Sequence, residues 1–543
     1  MAKQYKKRGT YTTLSEYVLE KSGKHIKDLN TYPNEYALPG LELMCDRILN
    51  GIQKGKQFLV YGDYDVDGIT STAQLGILLE SLHAKFRLRI PRRFADGYGI
   101  NPKAVRELGL DQDWVLILVD NGISAMEAIT EAKRKNVEVL ILDHHIPVKT
   151  ESGIVLPPAD QIINPSAIPD GCEFMDYCGS GLANRLVHAM TNNEELLLRC
   201  DALAALGTVA DVMPLCEDNR RIVQRGLYAI NQGYATQGLM EIVSYFDNQK
   251  HNSMLGHVTA ESIAFYLAPL LNAAGRLYDE GGKWSAITLL ERNQVKGKLF
   301  AEKLGSINES RKKIVEAMMS PITIDPFDKV NVIRTPENSP AGCLGLLAGK
   351  IAEETGRPTF VYSLENGICK GSARSDDERF NHVKQMLDGV KDYLISYGGH
   401  PGAAGFSFAP ENELTIRNHL LQYPVTPHDT TQYYDLQITP QEAEEVLQLM
   451  DVCEPFGKAM EKPVFCMPCH LTGPENIRYM GATGDHLSIS FPRTECRAVG
   501  FSLREQYKKD GCPIHMNLYG QLGWNWYRGE KRPQLLIKDY EKY

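Results

Sequence analysis

The chain has 543 residues, enough at roughly 150 per domain for three to four domains that bury their own cores without disulfide or metal staples. Its 43% hydrophobic and 23% charged residues exclude wholesale disorder and a fibrous repeat. A net charge of −9 has the wrong sign for a protein that coats nucleic acid through bulk charge, so any polyanion must be held by local patches or metal ions.

Residues 1–13 are basic and polar, with no apolar core of a signal peptide. The 12 cysteines are spread thinly from Cys45 to Cys512, which reads as reduced thiols in the cytoplasm. The longest run without Asp, Glu, Lys or Arg, residues 393–410, carries four Gly and two Pro. It suits a packed loop better than a membrane span.

Residues 58–61, 115–119 and 137–142 are short apolar runs, each leading to acidic residues and separated by helix-period sequence. This pattern predicts a parallel α/β sheet, in which ligands sit at the carboxyl ends of the strands. Leu75, Leu78, Leu79 and Leu82 predict a helix from about residue 70, after a turn at Asp67 and Gly68. Residues 293–319 predict a long helix between lobes, with Val295, Leu299, Leu304, Ile307, Ile314 and Met318 as its apolar stripe. A second, smaller α/β pattern runs to about residue 423, followed by a linker. Segments 463–471, 486–491, 496–501, 514–521 and 534–539 read as short strands of a small β-barrel.

Three carboxylates, Asp63, Asp65 and Asp67, alternate directly behind the first strand. Oxygen ligands converging from a rigid turn suit a hard divalent cation. An EF-hand begins in the same way, but Gln74 stands at its twelfth position where a Glu is needed. Asp120 ends the second strand, Asp143, His144 and His145 end the third, and Asp211 follows a helix-like apolar run. Four such termini can converge on one crevice. In the second lobe, Ser372 and Arg374 lie in Gly-Ser-Ala-Arg-Ser, and Gly399 and His400 lie in a glycine cluster at 398–405. Glycines allow close backbone approach to a phosphate that Ser, Arg and His can bind. Cys466 to His470 has the spacing of a haem attachment but lies on a barrel strand, and residues 345–350 fail the phosphate-loop spacing. Neither haem nor ATP is expected.

The order and spacing of the four acidic and histidine motifs resemble the DHH phosphoesterase family, and the second lobe resembles its DHHA1 phosphate-binding domain. The resemblance implies that Asp63, Asp65, Asp67, Asp120, His144 and Asp211 hold two divalent ions, Mn²⁺ favoured and Mg²⁺ the alternative; the mixed imidazole and carboxylate set suits Mn²⁺ better than Ca²⁺. It also implies that His145 contacts the scissile phosphate. Ser372 and Arg374, helped by Arg93, would recognise a terminal phosphate.

Within that family, residues 271–277, including Arg276 near the substrate path, Leu304, Asn308 and Arg311 on the long helix, and the two ends of the barrel are similar to the RecJ subfamily of single-strand-specific 5′ to 3′ exonucleases. The chain departs from the subfamily at 458–462, where a Gly-Asn-Pro turn is usual, and at 339–342, where a Trp-His pair is usual. The implied architecture is an N-terminal extension (1–50), a parallel-sheet DHH domain (51–290), a connecting helix (291–322), a smaller α/β DHHA1 domain (323–425) and an OB-type barrel (426–543). The implied function is two-metal hydrolysis of single-stranded DNA to mononucleotides in repair and recombination, by a monomer that meets a single-strand-binding protein or a helicase. A phosphodiesterase for cyclic dinucleotides or short oligonucleotides, and an inactive scaffold, are the alternatives. From residue 501 to the end, eight Lys and Arg face five Asp and Glu. With Trp524, Trp526 and Arg528 there, the barrel reads as a basic, aromatic groove for a single strand.

Overall fold

The computed structural model describes residues 5–22, 36–97, 99–151, 153–250, 254–426, 431–527 and 530–542, with the backbone alone at 249, 250, 526 and 527. The first sheet has five parallel strands in the order Lys85–Arg89, Gln57–Tyr61, Trp114–Val119, Glu138–Leu142, Gln161–Ile163. Its central strand is buried along its whole length, which is why it reads as an unbroken aliphatic run. The strand order reverses between Gln57–Tyr61 and Trp114–Val119, which opens a crevice at their carboxyl ends.

The helix behind the first strand spans Val66–Ser81 and begins four residues before the expected start, because the Asp65 carboxylate accepts the Gly68 N–H at 3.1 Å and caps it. It is buried nearly all round, between the sheet and the helices Gly179–Met190 and Glu194–Ala210. Its polar groups find partners there: the Gln74 amide donates to the Ser180 carbonyl at 3.1 Å and Thr70 meets the Ser180 hydroxyl at 2.9 Å.

The long helix is Gln294–Met319, about 39 Å at 1.5 Å per residue. Its expected stripe holds at Leu304, Ile307 and Met318, which are buried, and fails at Val295 and Leu299, which are 69% and 58% exposed. The face that packs on helix Gln237–Lys250 is made of small residues instead. A Cβ at Gly305 would lie 2.1 Å from the Tyr245 ring.

The second sheet runs Leu394–Gly399, Ala403–Phe408, Ile368–Arg374, Thr359–Glu365, Asn331–Arg334, antiparallel except for its last pair. A seven-stranded sheet stands where the sequence predicts the barrel. Two of its strands, Leu436–Gln437 and Ile477–Met480, are too short to register as patterns.

The N-terminal residues are more than an extension. Strand Tyr5–Lys7 pairs with Gln432–Tyr434, and Tyr5 stacks on Tyr519 with ring centroids 3.6 Å apart. The fully buried Asp435 accepts from Arg8 Nε at 2.7 Å, Tyr11 Oη at 3.0 Å and the Val464 N–H at 2.8 Å. Removing it strands two buried donors while the half-exposed Arg8 returns to water. Asp435→Ala is therefore expected to lower the stability of the barrel junction by about 2 kcal/mol in urea unfolding.

Candidate metal centre and arginine cleft

The acidic centre is built by chain ends that meet at the switch point. Gly68 must be a glycine, since a Cβ there would lie 2.4 Å from the Asp63 nitrogen. Asp67, in the first helical turn, accepts the Gly179 and Ser180 N–H groups at 2.7 and 2.8 Å, so one helix N-terminus fixes its orientation. Asp120 adopts a left-handed φ of +60°, a conformation Asp tolerates better than most residues. The Asn121 amide beside it donates to the Tyr61 and Val119 carbonyls and ties the two strand ends together. Asp211 caps the C-terminal end of helix Glu194–Ala210.

His144 stands among these carboxylates, its Nε2 at 3.2 Å from Asp120, 3.7 Å from Asp67 and 3.7 Å from Asp211. Asp67, His144 and Asp211 form one group whose ligand atoms lie within 4.8 Å of each other, and Asp63, Asp65 and Asp120 form another. All six residues expected as ligands are thus brought together.

Burial first, and then the neighbouring carboxylates, push Asp63, Asp65 and Asp120 above the ordinary carboxylate range and Asp211 to about 8. Asp63 Oδ1 and Asp120 Oδ1 are buried without a hydrogen-bond partner. Crowded acids with orphaned oxygens and a neutral imidazole, its pKa lowered by burial, fit the charge and donor preferences of two Mn²⁺ or Mg²⁺ ions.

Asp143, which the sequence offers only as part of a strand end, holds the histidines. It accepts the backbone N–H groups of His144 and His145 at 2.8 and 3.1 Å and pairs with His145 Nδ1 at 2.7 Å. Burial lowers the His145 pKa, but this bond and the Asp143 charge outweigh it and lift it to about 9. At neutral pH His145 is therefore a cationic donor beside the acids.

A second cluster gathers side chains of both lobes and of the long helix. Ser372 and Arg374 occupy alternate positions of strand Ile368–Arg374 and share a face. A Cβ at Gly345 would come within 2.8 Å of Arg374 Nη2 and 3.2 Å of Ser372 Oγ, so helix Ala341–Thr355 lies directly beside them and a side chain there would displace the guanidinium. Arg276 donates to the Gly342 carbonyl at 3.2 Å, and Arg93 lies over the Tyr64 ring at 4.6 Å. Burial, then the charges of Arg93, Arg311 and Arg374, pull Arg276 down to about 10. Arg311, mentioned above only for the long helix, has a buried Nε with no partner. Four guanidiniums drawn together in this way form a site for an anion.

Gly399 (φ +141°) and His400 form the hairpin between the last two strands of this sheet. The His400 N–H donates to Ala403 at 2.8 Å. Burial and the charge of His145 lower the His400 pKa.

Of the three barrel residues expected in the groove, the side chain of Trp524 is described. The Trp524 indole N–H donates to both Asp451 oxygens, at 3.0 and 2.9 Å, and Lys531 covers its ring at 3.9 Å. Trp524 is half-buried and lines an open pocket with Asn525, Lys531 and Gln534. Arg528 and the side chain of Trp526 lie outside the described residues.

The DHH family N-terminal domain matches residues 57–208, the DHHA1 domain 328–423 and the RecJ OB domain 434–539. A single-stranded-DNA-specific exonuclease RecJ from Bacillus subtilis is 30% identical over 95% of this chain and 65% of its own length. One from Thermus thermophilus is 31% identical over 83% and 64%. The chain therefore spans a little under two thirds of these relatives. The crystal structure of RecJ from Thermus thermophilus in complex with Mn²⁺ superposes with a TM-score of 0.77 at 27% identity, covering 95% of this chain and 74% of that one. An exonuclease RecJ bound to manganese gives 0.59 at 30% identity, covering 72% and 96%.

Proposed function

The chain belongs to the RecJ family of DHH phosphoesterases, and from that premise we propose that it is a metal-dependent exonuclease that degrades single-stranded DNA from the 5′ end to mononucleotides. The observation that carries this reading is the pairing of an acidic, ion-seeking centre with an arginine cleft to which both lobes contribute. Asp63, Asp65, Asp67, Asp120, His144 and Asp211 would hold two ions, Mn²⁺ or Mg²⁺. Bound there, such ions supply a Lewis-acid clamp on the attacking and leaving oxygens of an in-line phosphoryl displacement.

The protein's own residues do the rest. His145, oriented by Asp143, donates to a non-bridging oxygen of the scissile phosphate. Ser372, Arg374, Arg93 and Arg276 hold the 5′-terminal phosphate, and the Gly399–His400 hairpin closes the space between the two sites. These positions set the cut one nucleotide from the end. We divide the chain into a catalytic domain (51–290), connecting helix (291–322), phosphate-binding domain (323–425) and barrel (426–543). The barrel, with Trp524, Trp526 and Arg528, would guide the strand. No helix among the described residues is long and apolar enough to cross a membrane. We place the protein in the cytoplasm as a monomer, with a single-strand-binding protein or a helicase supplying its substrate.

The test is to offer the Mn²⁺-loaded protein 5′-labelled and 3′-labelled single strands, blunt duplex and a cyclic dinucleotide. Labelled mononucleotide released at once from the 5′-labelled strand is the expected result. Preference for the cyclic dinucleotide would overturn the reading, as would release of nucleotide first from the 3′ end.

A further inference from the structure

The turn at 457–460 lies where the sequence departs from its subfamily, and it is held unusually firmly. Gly457 and Met460 exchange backbone hydrogen bonds at 2.9 and 3.1 Å, and the Met460 side chain is fully buried. Just before it, the buried Arg220 donates to the Pro455 and Cys453 carbonyls at 2.7 and 2.6 Å, and the Gln224 amide donates to the Glu454 carbonyl at 3.0 Å. These bonds fasten the entrance to the barrel onto the catalytic domain.

The contact that matters is made by Leu215, four residues beyond Asp211. Its N–H donates to the Lys458 carbonyl at 2.8 Å, and a Cβ at Gly457 would lie 2.6 Å from its side chain. The turn is therefore docked on the segment that carries Asp211, while the Lys458 side chain itself is exposed. Lys458 and His145 are the cations whose charge acts most on Asp211, whereas Arg93 acts on Asp63 and Asp65. Through Leu215 the Lys458 turn is tied to the Asp211 end of the acidic centre, whereas Arg93 lies over the Tyr64 ring at its Asp63–Asp65 end. On the exonuclease reading, a strand that runs from the arginine cleft past the acids to the barrel passes the Lys458 turn, which stands just before the barrel strand Phe465–His470.

We propose that Lys458 is a substrate-positioning residue that binds the phosphate on the 3′ side of the scissile bond. An ammonium on a rigid turn at the mouth of the cleft suits such a contact, as a point charge that does not demand one orientation of the phosphate. The proposal rests on the exonuclease reading above and adds the residue that receives the downstream strand.

The test compares two 5′-phosphorylated substrates with the full-length, Mn²⁺-loaded protein. A dinucleotide has a scissile phosphate and nothing beyond it, and a trinucleotide adds one downstream phosphate. In Lys458→Ala the ratio of KM for the trinucleotide to KM for the dinucleotide is expected to rise about tenfold, with kcat for each changing less than about twofold. Lys458→Arg is expected to restore the ratio, which loss of a purely structural residue would not allow. On a long strand, the slope of log(kcat/KM) against log salt should fall by about 0.7, the value of one phosphate contact on a single strand. An unchanged ratio overturns the proposal, as does an equal fall in kcat on both substrates. If the wild-type protein hydrolyses neither substrate nor a long strand, the exonuclease reading itself fails. Wild-type activity on both with an unchanged ratio in the variant rejects the Lys458 assignment alone.

Discussion

Asp120→Asn is expected to lower kcat/KM by more than about a hundredfold, since even the outer partners of metal ligands typically cost about 10–100-fold. The choice of Asn is physical. Asp120 sits at a φ of +60°, which Asn also tolerates, so the substitution removes charge and leaves the turn. Burial, followed by the charges of Asp67, Asp65, Asp63 and Asp211, opposes ionisation of Asp120 when no cation is present. Without metal the variant should therefore melt at or above the wild-type temperature. The difference appears on adding Mn²⁺. A ligand at about 100 times its Kd stabilises a folded protein by about 2.7 kcal/mol, and that gain should be present in the wild type and largely lost in the variant. A variant that keeps its activity, or that gains as much from Mn²⁺ as the wild type, would remove Asp120 from the metal set.

Arg374→Ala is expected to penalise strands with a 5′ phosphate and to spare those with a 5′ hydroxyl. The guanidinium is largely buried and burial depresses its pKa, so it gains from an anion brought against it. Losing one charge-assisted contact costs about 1.5–3 kcal/mol, or about ten- to a hundredfold in kcat/KM. Arg374→Lys should recover only part of this, because an ammonium cannot reproduce the forked geometry of a guanidinium on phosphate oxygens. Equal losses on the two kinds of end would place Arg374 outside the terminal site.

The parts of the site closest to the sheet were the most legible in the sequence. Buried parallel strands must be aliphatic on both faces, so Trp114–Val119 and Glu138–Leu142 stand out, and their ligand-bearing residues follow directly behind them. What could not be read are roles set by distant contacts. Asp143 looks like one more acid, and only its bonds to His145 and the neighbouring N–H groups identify it as the residue that orients the histidines. Arg220 reaches a loop 235 positions away, and Arg8 reaches Asp435 across 427. No local pattern encodes either. The long helix shows a different limit. Its large apolar residues suggest a face containing Val295 and Leu299, but the helix packs through Gly297, Ala301 and Gly305, whose small size lets the backbones approach. Hydrophobic periodicity weighs side chains by their apolar bulk, so a close contact made by glycines is invisible to it. Trp524 shows another such role: its bonds to Asp451 and the cover of Lys531 over its ring are made by residues 73 and 7 positions away, which no local pattern announces.

The account depends most on the acids at the switch point being a two-ion centre. An anomalous difference map from crystals of the protein grown or soaked with Mn²⁺ tests this directly. Two peaks about 3.5–4 Å apart are expected, within coordination reach of Asp67, His144 and Asp211 on one side and Asp63, Asp65 and Asp120 on the other. The absence of any peak among these residues under saturating Mn²⁺, or peaks confined to other parts of the chain, would contradict it.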